Sequence, residues 1–157
     1  MNNNKILILP DIRSAINIGA IFRTADAVGI DKIYLTGVTP RPTDKFGRIQ
    51  KDIAKSALGA ETWVPWEYKK SLIALIGKLK TDGCKIIAIE QDKKAIDYRK
   101  VGKLKKVAII MGPEVEGLPK NILDKCDLIL EIPMNGKKES LNVSVACGVA
   151  LFRILEP

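Results

Sequence analysis

Histidine is absent from this chain of 157 residues, and cysteine is scarce. Without histidine the chain has no Ser-His or Cys-His nucleophile pair, and a zinc site would lack its usual ligands. The three cysteines, Cys84, Cys126 and Cys147, are odd in number and widely spaced, with no CxxC pair. We therefore expect reduced, structural thiols in a cytoplasmic protein that binds no metal.

Aromatic residues and long apolar runs are also few. Aromatics make up 5% of the chain, which disfavours a base-stacking platform of the single-strand-binding kind. No apolar run approaches the roughly 20 residues needed to span a bilayer, so we expect no membrane partner. The N-terminal segment has a run of only four apolar residues, which predicts a first β-strand and not a signal peptide.

The composition that is present indicates one folded, basic domain. Hydrophobic residues make up 46% of the chain, and its length suits a single domain over residues 1–157. The net charge is +8, with basic residues concentrated in segments 41–55, 69–106 and 137–138. A phosphate-rich partner explains such an excess, because each neutralised phosphate releases counterions. The alternative is a solvated, lysine-rich surface without that partner.

Five apolar, β-branched runs alternate with segments of helical spacing. The runs cover residues 5–9, 32–36, 85–90, 107–111 and 128–132. This alternation predicts an α/β fold with a mainly parallel sheet, and strands that are apolar on both faces suit helices on both sides.

The helices and connecting segments follow from periodicity and capping residues. Helices are predicted over residues 17–28, 50–58, 68–81 and 140–155, with Asn17 and Ser140 as N-caps of the first and last. A short extra strand is predicted over residues 62–66, and the charged segment 92–106 is expected at an exposed edge. The last helix is apolar almost all round, which predicts burial on every side and hence contact with a second subunit.

Three segments carry candidate site residues. The first is the start of the first helix, Asn17-x-Gly-x-x-x-Arg23. The other two are loops after predicted strands, Gly112-Pro-Glu-Val-Glu-Gly117 and the segment leading to Ser140-Leu-Asn142. Glu114 is expected to accept N–H donors of its own loop. Two strand-end loops predict a small-molecule pocket, but neither fits the GxGxxG or P-loop template, which excludes a nicotinamide dehydrogenase.

Taken together, the three segments resemble motifs one, two and three of the SPOUT methyltransferases, in the SpoU/TrmH-like branch. The matching patterns are Asn17-x-Gly-x-x-x-Arg23, Gly112-x-Glu-x-x-Gly-Leu118 and Ile132-Pro-Met-x-x-x-x-x-Ser-Leu-Asn142. The segment Ala-Leu-Gly-Ala-Glu at 57–61 is also similar to small members of this branch. The resemblance implies an α/β fold with a C-terminal deep trefoil knot, a homodimer, and RNA ribose 2′-O-methylation with S-adenosyl-L-methionine as cofactor.

The resemblance also implies roles for individual residues. The catalytic candidates are Asn17, Arg23, Glu114, Ser140 and Asn142. The cofactor-binding candidates are Ile89, Glu90, Gly112, Ile132, Met134, Ser140 and Leu141. Pro113 stands where many relatives have Asn, although some small members share the Gly-Pro-Glu form.

The expected partner is a structured RNA bound across a basic dimer face, with tRNA favoured over rRNA. Two alternatives stay open at this point. One is a non-catalytic RNA-binding protein that keeps the fold, and the other is a SPOUT enzyme that methylates bases.

Overall fold

A single sheet of seven parallel strands organises the protein, whose structure is a computed structural model that describes residues 4–155. The strands are β1 (Lys5–Pro10), β2 (Lys32–Thr36), β3 (Trp66–Lys69), β4 (Lys85–Ile89), β5 (Ile96–Asp97), β6 (Val107–Met111) and β7 (Leu128–Glu131). Their order across the sheet is β3-β2-β1-β6-β4-β7-β5, and each neighbouring pair is parallel. The predicted parallel α/β sheet is confirmed.

Within residues 4–155, five α-helices and one 3-10 turn lie between the strands, and a sixth helix follows the last strand. The helices are α1 (Ala15–Val28), α2 (Lys51–Ala57), α3 (Ala60–Trp63), α4 (Leu72–Thr81), α5 (Lys120–Leu123) and α6 (Val143–Leu155). The 3-10 turn spans Tyr98–Lys100. Among residues 4–155, no helix has both the length and the apolar character needed to cross a membrane.

Helices cover both faces of the sheet, as the apolar strands predict. Successive side chains of a strand point to opposite faces, so Leu7 and Leu9 of β1 join the core beneath α1, α2 and α6. Ile6 and Ile8 point the other way and pack with residues of α4 and α5. Two apolar layers therefore enclose the sheet, which explains why the central strands lack an alternating polar pattern.

Helix α1 begins before the predicted position. Ser14 is its N-cap, and the Ser14 Oγ accepts a hydrogen bond from the backbone N–H of Asn17 at 3.2 Å. The prediction that Asn17 caps this helix is wrong, because a serine three residues earlier satisfies the same free N–H groups. The side chain of Asn17 is thereby left for another contact.

The close packing of α1 on α2 depends on Gly19. A Cβ at that position would lie 1.9 Å from Ser56 Oγ and 2.4 Å from the backbone oxygen of Ile53. Ser56 Oγ also donates to the carbonyl of Ile16 at 2.8 Å, across the two helices. The glycine of the first motif therefore allows helix α2 to pack closely against α1.

The segment between residues 60 and 81 differs from its prediction. Residues 62–66 were expected to form a strand, but α3 occupies Ala60–Trp63 and the strand β3 follows at Trp66–Lys69. Helix α4 consequently starts at Leu72, with Ser71 as its N-cap. The aromatic and β-branched residues of the segment predict a strand, but they do not fix its ends.

The final helix also starts later than predicted. It begins at Val143, and the backbone oxygen of Asn142 accepts the N–H of Ala146 at 2.9 Å, so Asn142 precedes the helix and Ser140 lies in the loop. Ser140 is therefore not the N-cap. In the single chain, α6 leaves Val145, Val149 and Phe152 exposed, although its sequence is apolar on every side.

The parallel arrangement brings all strand-end loops to one border of the sheet, which we call the carboxyl edge. The loops after β4, β6 and β7 are neighbours there, because these strands are adjacent in the sheet. The charged segment 92–106 lies at the far side, where β5 forms the last strand, as predicted, although Val101 within it is buried.

Candidate active site

A pocket opens at the carboxyl edge, between the loops after β4, β6 and β7 and the start of α6. Its empty space is about 620 Å³, part of which is open to solvent. The site residues that line it include all of the cofactor-binding candidates, namely Ile89, Glu90, Gly112, Ile132, Met134, Ser140 and Leu141. The structure thus brings three separate loops together around one cavity.

Several lining residues were not predicted from the sequence. These are Gln91, Met111, Pro113, Val143 and Ala146. Each is next to, or one turn from, a predicted site residue, so strand-end position was the available signal. Gln91 has a further contact, since its side-chain amide donates to the backbone oxygen of Glu139. That bond ties the loop after β4 to the loop that precedes α6.

The charge of the pocket lining contrasts with the charge of the chain. The charged residues among its lining are Glu90 and Glu114, both negative, whereas the chain carries a net charge of +8. The remaining lining is largely apolar, with Ile89, Ile132 and Met134. An apolar cavity with carboxylates suits a ligand that has an apolar body and a positive charge.

Glu90 holds the loop after β6 in place. Its Oε2 accepts the backbone N–H of Leu118 at 2.9 Å, and its Oε1 accepts the N–H of Gln91 at 3.1 Å. A Cβ at Gly112 would lie 2.5 Å from Glu90 Oε2, and one at Gly117, whose φ is +67°, would lie 3.0 Å away. Both glycines therefore make room for this carboxylate.

This contact corrects the expectation for Glu114. Glu114 was expected to accept N–H groups of its own loop, but Glu90, which follows the neighbouring strand β4, accepts the N–H of Leu118 there. The Glu114 Oε1 instead accepts a hydrogen bond from Asn17 Nδ2 at 2.6 Å. The carboxylate thus links the second motif to the first.

Four polar side chains form one chain of hydrogen bonds beside the pocket. Asn142 Nδ2 donates to Asn17 Oδ1 at 3.2 Å, and Asn17 in turn donates to Glu114. Ser144 donates to Asn142 Oδ1 twice, from its backbone N–H at 2.9 Å and from its Oγ at 2.6 Å.

Ser144 determines how the amides in this chain are oriented. A backbone N–H can only donate, so the oxygen of the Asn142 amide faces Ser144 and its nitrogen faces Asn17. The same reasoning then aims the Asn17 nitrogen at Glu114. Ser144 was not predicted as a site residue, although it lies two residues after the third motif.

Arg23 is not among the pocket-lining residues. It lies on the exposed face of α1, on the same side as Ile16 and Ala27, which are seven residues before it and four after it. Within residues 4–155 it has no hydrogen-bond or ion-pair partner. Arg23 lies six positions after Asn17, which corresponds to about 9 Å along the helix axis. Its catalytic role stays a prediction.

The cysteines take no part in this site. All three are free thiols. Burial raises the pKa of Cys147 to about 12 and that of Cys126 to about 11, so the reactive thiolate form is disfavoured in both. Within the described part of the chain, no three His, Cys, Asp or Glu side chains are grouped so that they could hold a metal ion.

Comparison with known proteins assigns this architecture to a family. The sequence profile of the SpoU rRNA Methylase family matches residues 4–152, which is nearly the whole chain. The chain belongs to the SpoU methylase family. The resemblance of its three motifs to the SpoU/TrmH-like branch is therefore confirmed, as is the mainly parallel α/β class, whereas the C-terminal knot stays a prediction.

Among sequence relatives, a protein from Staphylococcus aureus that is assigned to the TrmH family of tRNA/rRNA methyltransferases is 33% identical over 149 residues. The match covers 95% of this chain but only 57% of that relative. The chain thus spans little more than half the length of the curated relatives it matches.

Solved structures show the same fold. An AdoMet-bound rRNA methyltransferase from Sinorhizobium meliloti superposes with a TM-score of 0.87 at 28% identity, over 98% of this chain and 56% of that one. A TrmH/SpoU tRNA modifying enzyme from A. aeolicus gives 0.83 at 28% identity, over 98% and 74%. A structure described by its role in 2-OH methylation of C/U34 on tRNA gives 0.77 at 27% identity, and the match covers 94% of this chain and 91% of that protein.

Proposed function

We propose that this protein is an S-adenosyl-L-methionine-dependent RNA ribose 2′-O-methyltransferase that acts on tRNA or rRNA. The observation that carries the proposal is that the second and third family motifs line one largely apolar pocket whose charged residues are Glu90 and Glu114. Asn17 of the first motif is hydrogen-bonded to Glu114 and Asn142 at the side of this pocket. Two relatives support the substrate class, since one is named for rRNA and another for 2-OH methylation of tRNA.

The residues around the pocket suit the cofactor. Apolar side chains of Ile89, Ile132 and Met134 offer contact surface for an adenine ring, and the adjoining loops offer backbone donors and acceptors. The two carboxylates would attract the positive charge of the cofactor, and none of the lining side chains is cationic. When bound, S-adenosyl-L-methionine supplies an electrophilic methyl group on a positively charged sulfur.

On the side of the pocket where the RNA would approach, the chain of hydrogen bonds from Ser144 to Glu114 positions the first motif. Glu114 and Asn142 each bond to the side chain of Asn17, so helix α1 is held against the pocket at its N-terminal turn. A ribose hydroxyl that approaches along α1 would meet oriented amide groups. Fixed orientation of the nucleophile contributes much of the acceleration in such reactions.

Arg23 has a separate role in this proposal. A guanidinium stays protonated in proteins, so Arg23 acts as a donor and not as a proton acceptor. It is exposed and lacks a carboxylate partner within residues 4–155, which leaves it available to an RNA phosphate. There it orients the ribose and stabilises the alkoxide charge that develops, while a phosphate oxygen or water takes the proton.

The exposed stripe of α6 supports a homodimer. Val145, Val149 and Phe152 lie at positions i, i+4 and i+7, so they share one face, and Phe152 is 51% exposed. A second copy of the chain would bury this face. Replacing Phe152 by Asp should then convert a dimer into a monomer in light scattering. A monomeric mass for the unaltered protein would contradict the dimer, and a dimeric mass for the variant would contradict this interface.

The decisive test is a methyl-transfer assay with product identification. The protein is incubated with labelled S-adenosyl-L-methionine and unmodified tRNA or rRNA transcripts, and the RNA is digested to nucleosides for mass spectrometry. We expect a 2′-O-methylnucleoside. A methylated base would contradict the ribose specificity. Absence of cofactor binding by titration calorimetry would favour a non-catalytic RNA-binding protein.

Substitution of Arg23 tests the mechanism. Arg23→Ala should lower kcat by about 10²–10³-fold, as expected when one donor to a developing oxyanion is lost. Cofactor affinity should stay nearly unchanged because Arg23 does not line the pocket. Arg23→Lys should also be poor, since an ammonium lacks the planar fork. Near-normal turnover of Arg23→Ala would remove Arg23 from the mechanism.

A further inference from the structure

A short, ordered hairpin projects from the segment between β2 and α2, and we call residues 43–49 the basic hairpin. Thr43 and Ile49 form an antiparallel bridge at its base. The carboxylate of Asp44 closes the tip, since its Oδ1 accepts the backbone N–H groups of Phe46 at 2.8 Å and Arg48 at 3.0 Å. Gly47 has a φ of +77°, which allows the chain to reverse.

The hairpin presents an aromatic ring to solvent. Phe46 is 71% exposed, although it is one of only three phenylalanines in the chain. Two cations lie over the ring, with Lys45 Nζ at 5.0 Å and Arg48 Cζ at 5.2 Å from its centroid. An exposed apolar ring with cations over it does not contribute to the core, and the Asp44 hydrogen bonds restrict the backbone that carries it.

A second stack lies beside the hairpin. The guanidinium of Arg41 covers the ring of Tyr68 at 3.6 Å, and the Tyr68 hydroxyl donates to the backbone oxygen of Gly37 at 3.0 Å. Stacking leaves the N–H edges of Arg41 free to donate outward. The groove between this stack and the hairpin is thus lined by donors that are already oriented.

The groove is strongly positive. Arg41, Lys45, Arg48 and Lys51 line it together with one acidic residue, Asp44. The Asp44 carboxylate is engaged by Arg48 Nε and by backbone N–H groups of the hairpin. The charge that remains for an approaching ligand is therefore positive, which favours a polyanion.

Topology places this groove beside the pocket. Both follow strands of one parallel sheet, so both lie at the carboxyl edge. Strand β2 is separated from β6 by β1 alone, which corresponds to about 10 Å between the two strands. A polymer that offers one unit to the pocket can therefore contact the groove with a neighbouring unit.

We propose that the basic hairpin binds an unpaired nucleotide of the substrate RNA, with its base stacked on Phe46 and adjacent phosphates bound by Lys45 and Arg41. The inference rests on the proposed function, because it takes RNA as the substrate. Aromatic rings within a positively charged groove are how proteins bind unpaired bases, whereas the cores of protein–protein interfaces are depleted of lysine. Lys45, which lies over the ring, would move to a phosphate as the base takes its place. The scarcity of aromatics excludes an extended stacking platform, but a single ring suffices for one base.

The test measures RNA binding by fluorescence anisotropy with two labelled probes, a short RNA hairpin with an unpaired loop and a fully paired duplex. Phe46→Ala should weaken binding of the looped RNA about tenfold, as expected for the loss of one stacked base, and leave duplex binding unchanged. Phe46→Trp should retain the affinity, and Phe46→Leu should resemble Phe46→Ala because it lacks a π face.

Salt dependence separates the stacking contact from the phosphate contact. Lys45→Gln should reduce the slope of log K against log salt by about 0.7–0.9, the value for one lost phosphate contact, whereas Phe46→Ala should leave the slope unchanged. Lys85→Gln is the matched control, since it removes the same charge from an exposed residue at the start of β4, on the opposite edge.

The outcomes distinguish this inference from the proposed function. If the unaltered protein binds the looped RNA and Phe46→Ala binds it equally well, the stacking contact is excluded while the methyltransferase proposal stands. If the unaltered protein binds neither probe, both are overturned. A change in oligomeric mass on Phe46→Ala would instead make the hairpin a protein contact. Cofactor titration and thermal melting show whether each variant is folded.

Discussion

The loops after β6 and β2 both pack a glycine against a carboxylate, but the two contacts have different surroundings. After β6, Glu90 occupies the space that a side chain at Gly112 would need, and it accepts the N–H of Leu118. After β2, Asp11 lies against Gly37 in the same way and accepts the N–H of Val38 at 3.0 Å. Glu90 lines the pocket, whereas the segment beyond Gly37 leads to the exposed basic hairpin.

The difference shows that the same contact between a glycine and a carboxylate can support two kinds of surface. Around Glu90 the neighbours are apolar and the charges are negative, so the loop shapes a cavity for a small cation-bearing molecule. The segment after Gly37, which Asp11 contacts, is basic, so this loop supports a surface for a polyanion. Disturbing the first should impair cofactor binding, and disturbing the second should impair folding stability or RNA binding.

The largest effect is expected from Gly112→Ala. The new methyl group would meet Glu90 Oε2 at 2.5 Å and Leu118 Cγ at 3.2 Å, so the carboxylate must leave its place in the pocket wall. Cofactor affinity should fall about a hundredfold, or about 2.7 kcal/mol. Calorimetric titration measures this, and Gly136→Ala is the matched control because nothing lies within 4 Å of its Cβ.

Gly37→Ala should act on folding instead. Gly37 has a φ of +63°, and an added Cβ would lie 1.9 Å from Asp11 Oδ1. Strain of this kind costs about 1–3 kcal/mol, which urea denaturation can measure. Cofactor affinity of the folded variant should stay close to that of the unaltered protein. A selective loss of cofactor binding would show that the two loops are coupled.

Neutral amides at the two carboxylates should separate the loops further. Glu90→Gln has one oxygen for two N–H donors, those of Leu118 and Gln91, so one donor faces an amide NH₂ group. We expect about tenfold weaker cofactor binding, or about 1.4 kcal/mol.

Asp11→Asn should be close to neutral by comparison. Its single acceptor oxygen can still receive the N–H of Val38, and asparagine tolerates the left-handed backbone that Asp11 adopts at a φ of 52°. The unfolding free energy should change by less than about 0.5 kcal/mol. Equal losses of cofactor affinity at the two positions would contradict the difference between the loops.

A further small effect concerns the acid stability of strand β3, which contains Glu67. Hydrogen bonds from Lys32 and then Lys69 lower the pKa of Glu67 from its usual 4.5 to about 2. The stabilisation is therefore present above pH 4.5 and lost as the pH falls towards 2. The side chain is 39% exposed, and solvent screening limits the contribution to below about 1 kcal/mol. Glu67→Gln should flatten this part of the stability profile in pH-dependent urea titrations, whereas Cys84→Ser should not.

Much of the fold followed from local pattern. Apolar β-branched runs correctly located β1, β2, β4, β6 and β7, because strands covered on both faces must be apolar throughout. Strand β3 was misplaced, because it lies at one edge of the sheet and its residues are only half-buried. A half-covered segment carries a weaker hydrophobic signal than a central one.

The candidate site was predicted as a set of residues and not as a set of contacts. Motif positions located Asn17, Glu114 and Asn142, yet their hydrogen bonds join residues 97 and 125 positions apart in the chain. Glu114 was paired with the wrong donors for the same reason. Periodicity describes neighbours within about two helical turns and contains no information on such distances.

The sequence by itself determined the parallel α/β class, the order of the three motifs and the family, because these depend on local spacing and residue type. Only the tertiary structure decided that Glu90, 28 residues from Leu118, holds the second motif loop, and that Ser144 orients the amides. It also decided that Phe46 is exposed near the carboxyl edge with two cations over its ring. These outcomes depend on which strands are neighbours in the sheet, and pairing of distant segments is set by the packing of the whole core.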